Sequence, residues 1–118
     1  MIQVTVKRGT YGVQEITVSG HANAAKHGQD IVCSAVSGIS FGILNSVHSL
    51  LNIQPDVQQA GQEGGFLRWR VHPLDDATLH EKQQLLAESM ILSLYAISQQ
   101  YGKFIKVRDL TKQGGAEQ

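Results

Sequence analysis

Cysteine is almost missing from this chain. Cys33 stands alone, so no disulfide can close within it. A bridge-built secreted scaffold is excluded, and a reducing cytoplasm is the natural setting. Charge is scarce too. Ten Lys+Arg balance ten Asp+Glu among 118 residues, and the formal net charge is zero. Nonspecific nucleic-acid binding needs a basic excess to neutralise phosphates, and none is present. The opening MIQVTVKRGT lacks the apolar core of a secretory leader. Apolar residues, at 42%, are sufficient for one two-layer core in a chain of single-domain size.

From Ile31 to Pro55 there is no Asp, Glu, Lys or Arg. The run is long enough to cross a bilayer, which takes roughly 20 apolar residues. It also holds five Ser, with Asn45, His48, Asn52 and Gln54, and that polar content reads as a buried helix rather than a span.

Periodicity divides the rest. Ile2, Val4 and Val6 alternate with Gln3, Thr5 and Lys7, the pattern of a half-buried strand. Gly9 and Gly12 bracket a turn into a second strand over 13–18, with Ile16 and Val18 inward. A polar connection, 19–30, leads into the charge-free helix. There Val36, Ile39, Ile43, Val47 and Leu50 recur at steps of three and four. Gly38 and Gly42 within it imply that another backbone approaches closely, because helical Gly otherwise costs about 1 kcal/mol against Ala. A weak strand over 56–60, a glycine turn, and FLRWRV at 66–71 follow. Asp75 or Asp76 caps a long helix reaching about Tyr101, with Gly102 as its C-terminal stop. Leu79, Leu86, Met90, Leu94, Ile97 and Tyr101 mark its stripe. Leu85, Leu92 and Tyr95 widen that stripe beyond what one sheet face needs, which predicts a symmetric homodimer. Phe104–Leu110 is a last strand.

The order ββαββαβ predicts an α+β fold: a two-layer α/β sandwich, two helices on a mostly antiparallel sheet. Residues 1–110 form a single domain, and 111–118 a mobile tail. Strand order and dimer interface are not legible.

With Asp30 as N-cap, Cys33 falls in the first turn of the charge-free helix, where free N–H groups favour an anion. The plainer reading is a buried structural cysteine. His21 lies twelve residues upstream, and a folded-back loop brings its imidazole to the thiol as a general base. Asp30 either caps the helix or orients that imidazole. Gly20 and Gly28 give the loop freedom to move over a bound chain. Metal is the competing use of His21, His27 and Cys33, but no close ligand pair such as C-x₂-C is present, so no metal or cofactor is expected. Trp69 between Arg68 and Arg70 is a weak nucleic-acid signal against zero net charge. Gly61–Gly65 lacks the helix and Lys of a phosphate loop.

Taken together, Gly20-His21-Ala22 and Gly28-x-Asp30-Ile31-Val32-Cys33-x-x-x-Ser37 resemble the signature of the ribosomal-processing cysteine protease family. The resemblance extends over nearly the whole chain, to Glu88-Ser89-Met90-Ile91-Leu92-Ser93-Leu94 on the long helix. It implies a cytoplasmic, homodimeric endopeptidase without cofactor. Such enzymes remove an N-terminal extension from protein twenty-seven of the large ribosomal subunit, cutting after an aromatic pair and before a small residue. His21 and Cys33 match the catalytic pair, Asp30 the associated acid, and Ser37 a serine one turn beyond the cysteine. Gly20, Ala22 and Gly28 belong to a loop that orders over substrate. Gln29 stands where the family commonly has a second His. An apolar groove for the aromatics is expected from the loop and the long helix of this chain or its partner. The alternatives are a non-catalytic ribosome-associated binding module and a small metal-binding regulator.

Overall fold

The computed structural model describes residues 1–21, 27–60 and 65–110, and for 27–30 the backbone alone. The expected tail, 111–118, lies outside the described residues. The alternating N-terminal residues form β1, Ile2–Gly9, and β2, Gly12–Ser19, paired antiparallel. Lys7 faces Glu15 while Arg8 faces Val13, so Gln14 is an extra residue on β2. That bulge resets the inward face, and Val13 joins Ile16 and Val18 in the core despite its parity.

β3 is Asp56–Gln59, β4 is Phe66–Arg70 and β5 is Ile105–Asp109. The sheet order is β3-β4-β2-β1-β5. Three neighbouring pairs are antiparallel, and β1–β5 is parallel. Inward residues Val4, Val6, Ile16, Leu67 and Ile105 join residues of both helices in one apolar cluster. Gln3, Lys7, Gln58, Arg70 and Lys106 on the opposite face are exposed. This is the expected α+β two-layer sandwich, ββαββαβ. Trp69 is 1% exposed and belongs to this core, not to any stacking platform.

Helix α1, His27–Leu51, carries the charge-free run. It is long and apolar enough to cross a membrane by length and composition. Here it lays Val32, Val36, Ser40, Leu44 and Val47 into the core. The expected stripe holds at Val36 and Val47, which are buried, and at Ile39 and Ile43, half-buried against the core, but not at Leu50, which is 73% exposed. Ser40 stands at the centre of the buried stripe, where counting apolar residues passes over it. Gly38 and Gly42 have nothing within 4 Å of where a Cβ would stand, so among the described residues no other backbone approaches them. Asn52 ends the helix in the left-handed region, φ 57°, with its N–H on His48 O at 3.0 Å.

Helix α2, Ala77–Gln100, is capped by Asp76, whose Oδ1 accepts from Leu79 N at 3.0 Å. Its C-cap is Tyr101, and Gly102 does not take the left-handed conformation expected of it. The Gln84 amide accepts from Val13 N at 2.7 Å and donates to Val13 O at 3.0 Å, tying α2 to the bulge. Arg8 joins three elements through Glu88 on α2 and Asp109 on β5. The hydrogen bond to Glu88 leads in raising the Arg8 guanidinium above its ordinary value, against partial burial. Gln83, Ala87, Met90, Ile91 and Leu94 are buried on α2, whereas Leu85, Leu92 and Tyr95 are 69%, 67% and 49% exposed.

Candidate active site

β2 delivers His21. The β2–β4 ladder reaches Ser19 opposite Phe66, and one further rung follows, Gly20 N–H to Gly65 O at 2.8 Å. Both glycines have positive φ, 92° and 81°, which a side chain rarely adopts. At Gly65 there is a second reason: a Cβ there would overlap the His21 imidazole. At Gly20 it would overlap the carbonyl of Met1. The Met1 nitrogen donates to His21 O at 2.6 Å. Two segments remote in sequence, at Met1 and Gly65, thus meet the backbone and ring of one histidine.

α1 delivers Cys33. The helix begins at His27, four residues before the Ile31 that an Asp30 N-cap implies, which corrects the reading of Asp30 as N-cap. Asp30 lies inside the first turn instead. Cys33 is the seventh helical residue, beyond the four whose N–H groups are free. The helix end acts mainly within its first turn, and Cys33 lies beyond it. Gly28 is also helical, where a loop was expected, and Ala22 lies outside the described residues.

His21 and Cys33 line one cavity of about 340 Å³. His21 is exposed and Cys33 half-buried, and exposed Ser37 stands beside them on the next turn of α1. The cavity's inner wall is buried and mostly apolar: Ile2, Val18, Val36 and Leu67, with Ser40 among them. Phe41 and Phe66 add aromatic edges, and the Arg68 guanidinium sits 5.0 Å above the Phe66 ring. Gln59 and Ala60 line the side nearest β3. Among the described residues, none of the lining comes from α2 of this chain. Cys33, Val36, Ser37, Ser40 and Phe41 sit at i, i+3, i+4, i+7 and i+8, so helical spacing counted from the cysteine finds them. No comparable signal marks Phe66 or Gly65. Among the described residues, no three His, Cys, Asp or Glu side chains gather as metal ligands would.

A half-buried thiol, an exposed imidazole and an apolar wall in one cavity are what nucleophilic cleavage of a peptide needs. The family model described as cysteine protease Prp matches residues 1–106. A Bacillus subtilis protein named ribosomal processing cysteine protease Prp is 37% identical over 108 residues, covering 91% of this chain and 96% of its own length. The crystal structure of the Staphylococcus aureus ribosomal processing protease Prp with a substrate peptide superposes with a TM-score of 0.77 at 29% identity. It covers 92% of this chain and 99% of that one. The same Staphylococcus aureus protease with a covalently linked product peptide gives 0.79 at 28% identity, with the same coverage.

Proposed function

Because the chain belongs to the Prp family of cysteine proteases, we propose that it is a cytoplasmic endopeptidase working through a His21/Cys33 dyad. Its proposed substrate is the N-terminal extension of protein twenty-seven of the large ribosomal subunit, cut after an aromatic pair. The observation that carries this reading is the shared cavity of His21 and Cys33. Cys33 Sγ attacks the scissile carbonyl, and the tetrahedral adduct collapses to a thioester. His21 protonates the departing amine, then takes a proton from water, which hydrolyses the thioester and restores the thiol. The covalently linked product peptide in the Staphylococcus aureus relative supports a covalent course. Asp30, one turn before Cys33 on α1, is proposed to support the dyad.

The protein is expected to cut a peptide with an aromatic pair before Ala-Ser at the bond after the second aromatic. Mass spectrometry of the products checks this, and an intact peptide after prolonged incubation would overturn the reading. It would leave a non-catalytic binding module in its place. The partner is peptide rather than nucleic acid. Arg68 and Arg70 on the open sheet face lie 3.5 and 3.7 Å from Glu15, which offsets their charge.

The working form is a homodimer. Leu85, Leu92 and Tyr95 form an exposed stripe on α2 at spacings of seven and three. Light scattering is expected to give twice the chain mass at about tens of micromolar, in the range of a stable interface. Leu92→Arg is expected to shift it to monomer with the fold intact by circular dichroism. A monomeric parent protein would rule the dimer out.

A further inference from the structure

Two side-chain atoms among the described residues are buried without a hydrogen-bond partner, Ser40 Oγ and Arg68 Nε. Arg68 Nε has the Glu15 carboxylate 3.5 Å away. Ser40 has no such neighbour. It is 2% exposed, in a stripe otherwise made of Val32, Val36, Leu44 and Val47. A buried hydroxyl normally finds a partner, and a helical serine has one at hand in the carbonyl of the preceding turn. Two other helical serines use it: Ser46 Oγ donates to Gly42 O at 2.9 Å, and Ser98 Oγ to Tyr95 O at 2.6 Å. Ser40 does not, yet it lines the cavity that holds Cys33 and His21. Ser40 is the polar residue on the cavity's buried wall, beside Ile2, Val18, Val36 and Leu67.

We propose that Ser40 is a specificity-determining residue, whose hydroxyl hydrogen-bonds the polar tip of a substrate side chain seated in this cavity. The chemistry it selects is an apolar body ending in a phenol or an amide. Seven residues of helix place Ser40 about 10 Å along the axis from Cys33, at 1.5 Å per residue. For a peptide running extended along α1 with its N-terminal side toward Ser40, an advance of about 3.3 Å per residue puts the recognised side chain among the three residues before the cut. The inference rests on the protease reading above and adds a preference to it.

The test compares kcat/KM for matched peptides that differ in one tip. One arm replaces Phe by Tyr at either position of the aromatic pair. The other replaces Met by Gln at the third residue before the cut. The parent enzyme is expected to favour the polar tip in one arm by about tenfold, the usual net worth of one hydrogen bond. Ser40→Ala should bring that ratio to about one, and Ser40→Thr, which keeps the hydroxyl, should retain it. Ser40→Ala should also keep or raise the unfolding midpoint, because it removes a buried group that has no partner. A hydroxyl with only a structural role would lower it. Equal ratios in parent and Ser40→Ala, with cleavage intact, would overturn the Ser40 assignment alone. No cleavage of any peptide by the parent would overturn the protease reading and this one together.

Discussion

Cys33→Ala is expected to abolish peptide cleavage, a loss of about 10³-fold or more, while leaving the fold intact. The thiol is half-buried and packs on the edge of the core, so its removal leaves only a small gap. Nothing else in the cavity replaces it. Ser37 is one turn away, but its hydroxyl is a far weaker nucleophile than a thiol. Cys33→Ser should fail for the same reason, although it keeps a protic group in place. Knocking out a nucleophile removes the covalent route as a whole, so the loss is much larger than one hydrogen bond. Cys33→Ala should still bind uncut peptide, and fluorescence polarisation with a labelled peptide measures that directly. Cleavage by either variant at the parent rate would end the cysteine-protease reading.

The second large effect is expected at His21. In the proposed mechanism, His21→Ala removes the group that protonates the leaving amine and then activates water. The loss should be about 10² to 10⁴ in kcat, the ordinary range for general acid–base catalysis. KM should move little, because the apolar wall is untouched. Stability should barely change, since the imidazole is exposed and only its backbone is held by Met1. Single-turnover cleavage at saturating enzyme separates the chemical step from binding. A His21→Ala enzyme with unchanged kcat would remove His21 from the mechanism.

Both residues were legible in the sequence, but for different reasons. Cys33 is the chain's one thiol, and any chemical reading begins there. His21 gains meaning only through the pattern around it, because spacing alone does not bring a strand end to a helix. The elements themselves were readable, since the periods of two and of three to four are local. The sheet order was not. It depends on which strand edges meet, and β5 reaches β1 from about a hundred residues away. The face of α1 was legible only in part. Val36 and Val47 are buried as their spacing implies, but Leu50 is apolar yet exposed and Ser40 is polar yet buried, so hydropathy missed both. The start of α1 was placed at the familiar capping residue Asp30, whereas the helix begins at His27. Gly65 was invisible because the sequence has several glycines there, Gly61, Gly64 and Gly65, and does not tell which lies under the imidazole.

The parallel β1–β5 pair has a consequence for the order in which the molecule is assembled. As the chain leaves the ribosome, the β1–β2 hairpin comes out first and pairs locally. The edge of β1 facing away from β2 then stays open until residues 105–109 have been made. Gly65 and β4 also follow long after His21, so the support beneath the imidazole is absent from any shorter nascent chain. A partly made chain therefore combines an open strand edge with an unsupported histidine. It is prone to pair with another edge and unable to cut. Proteolytic competence arrives late in synthesis, together with the strand that closes the sheet.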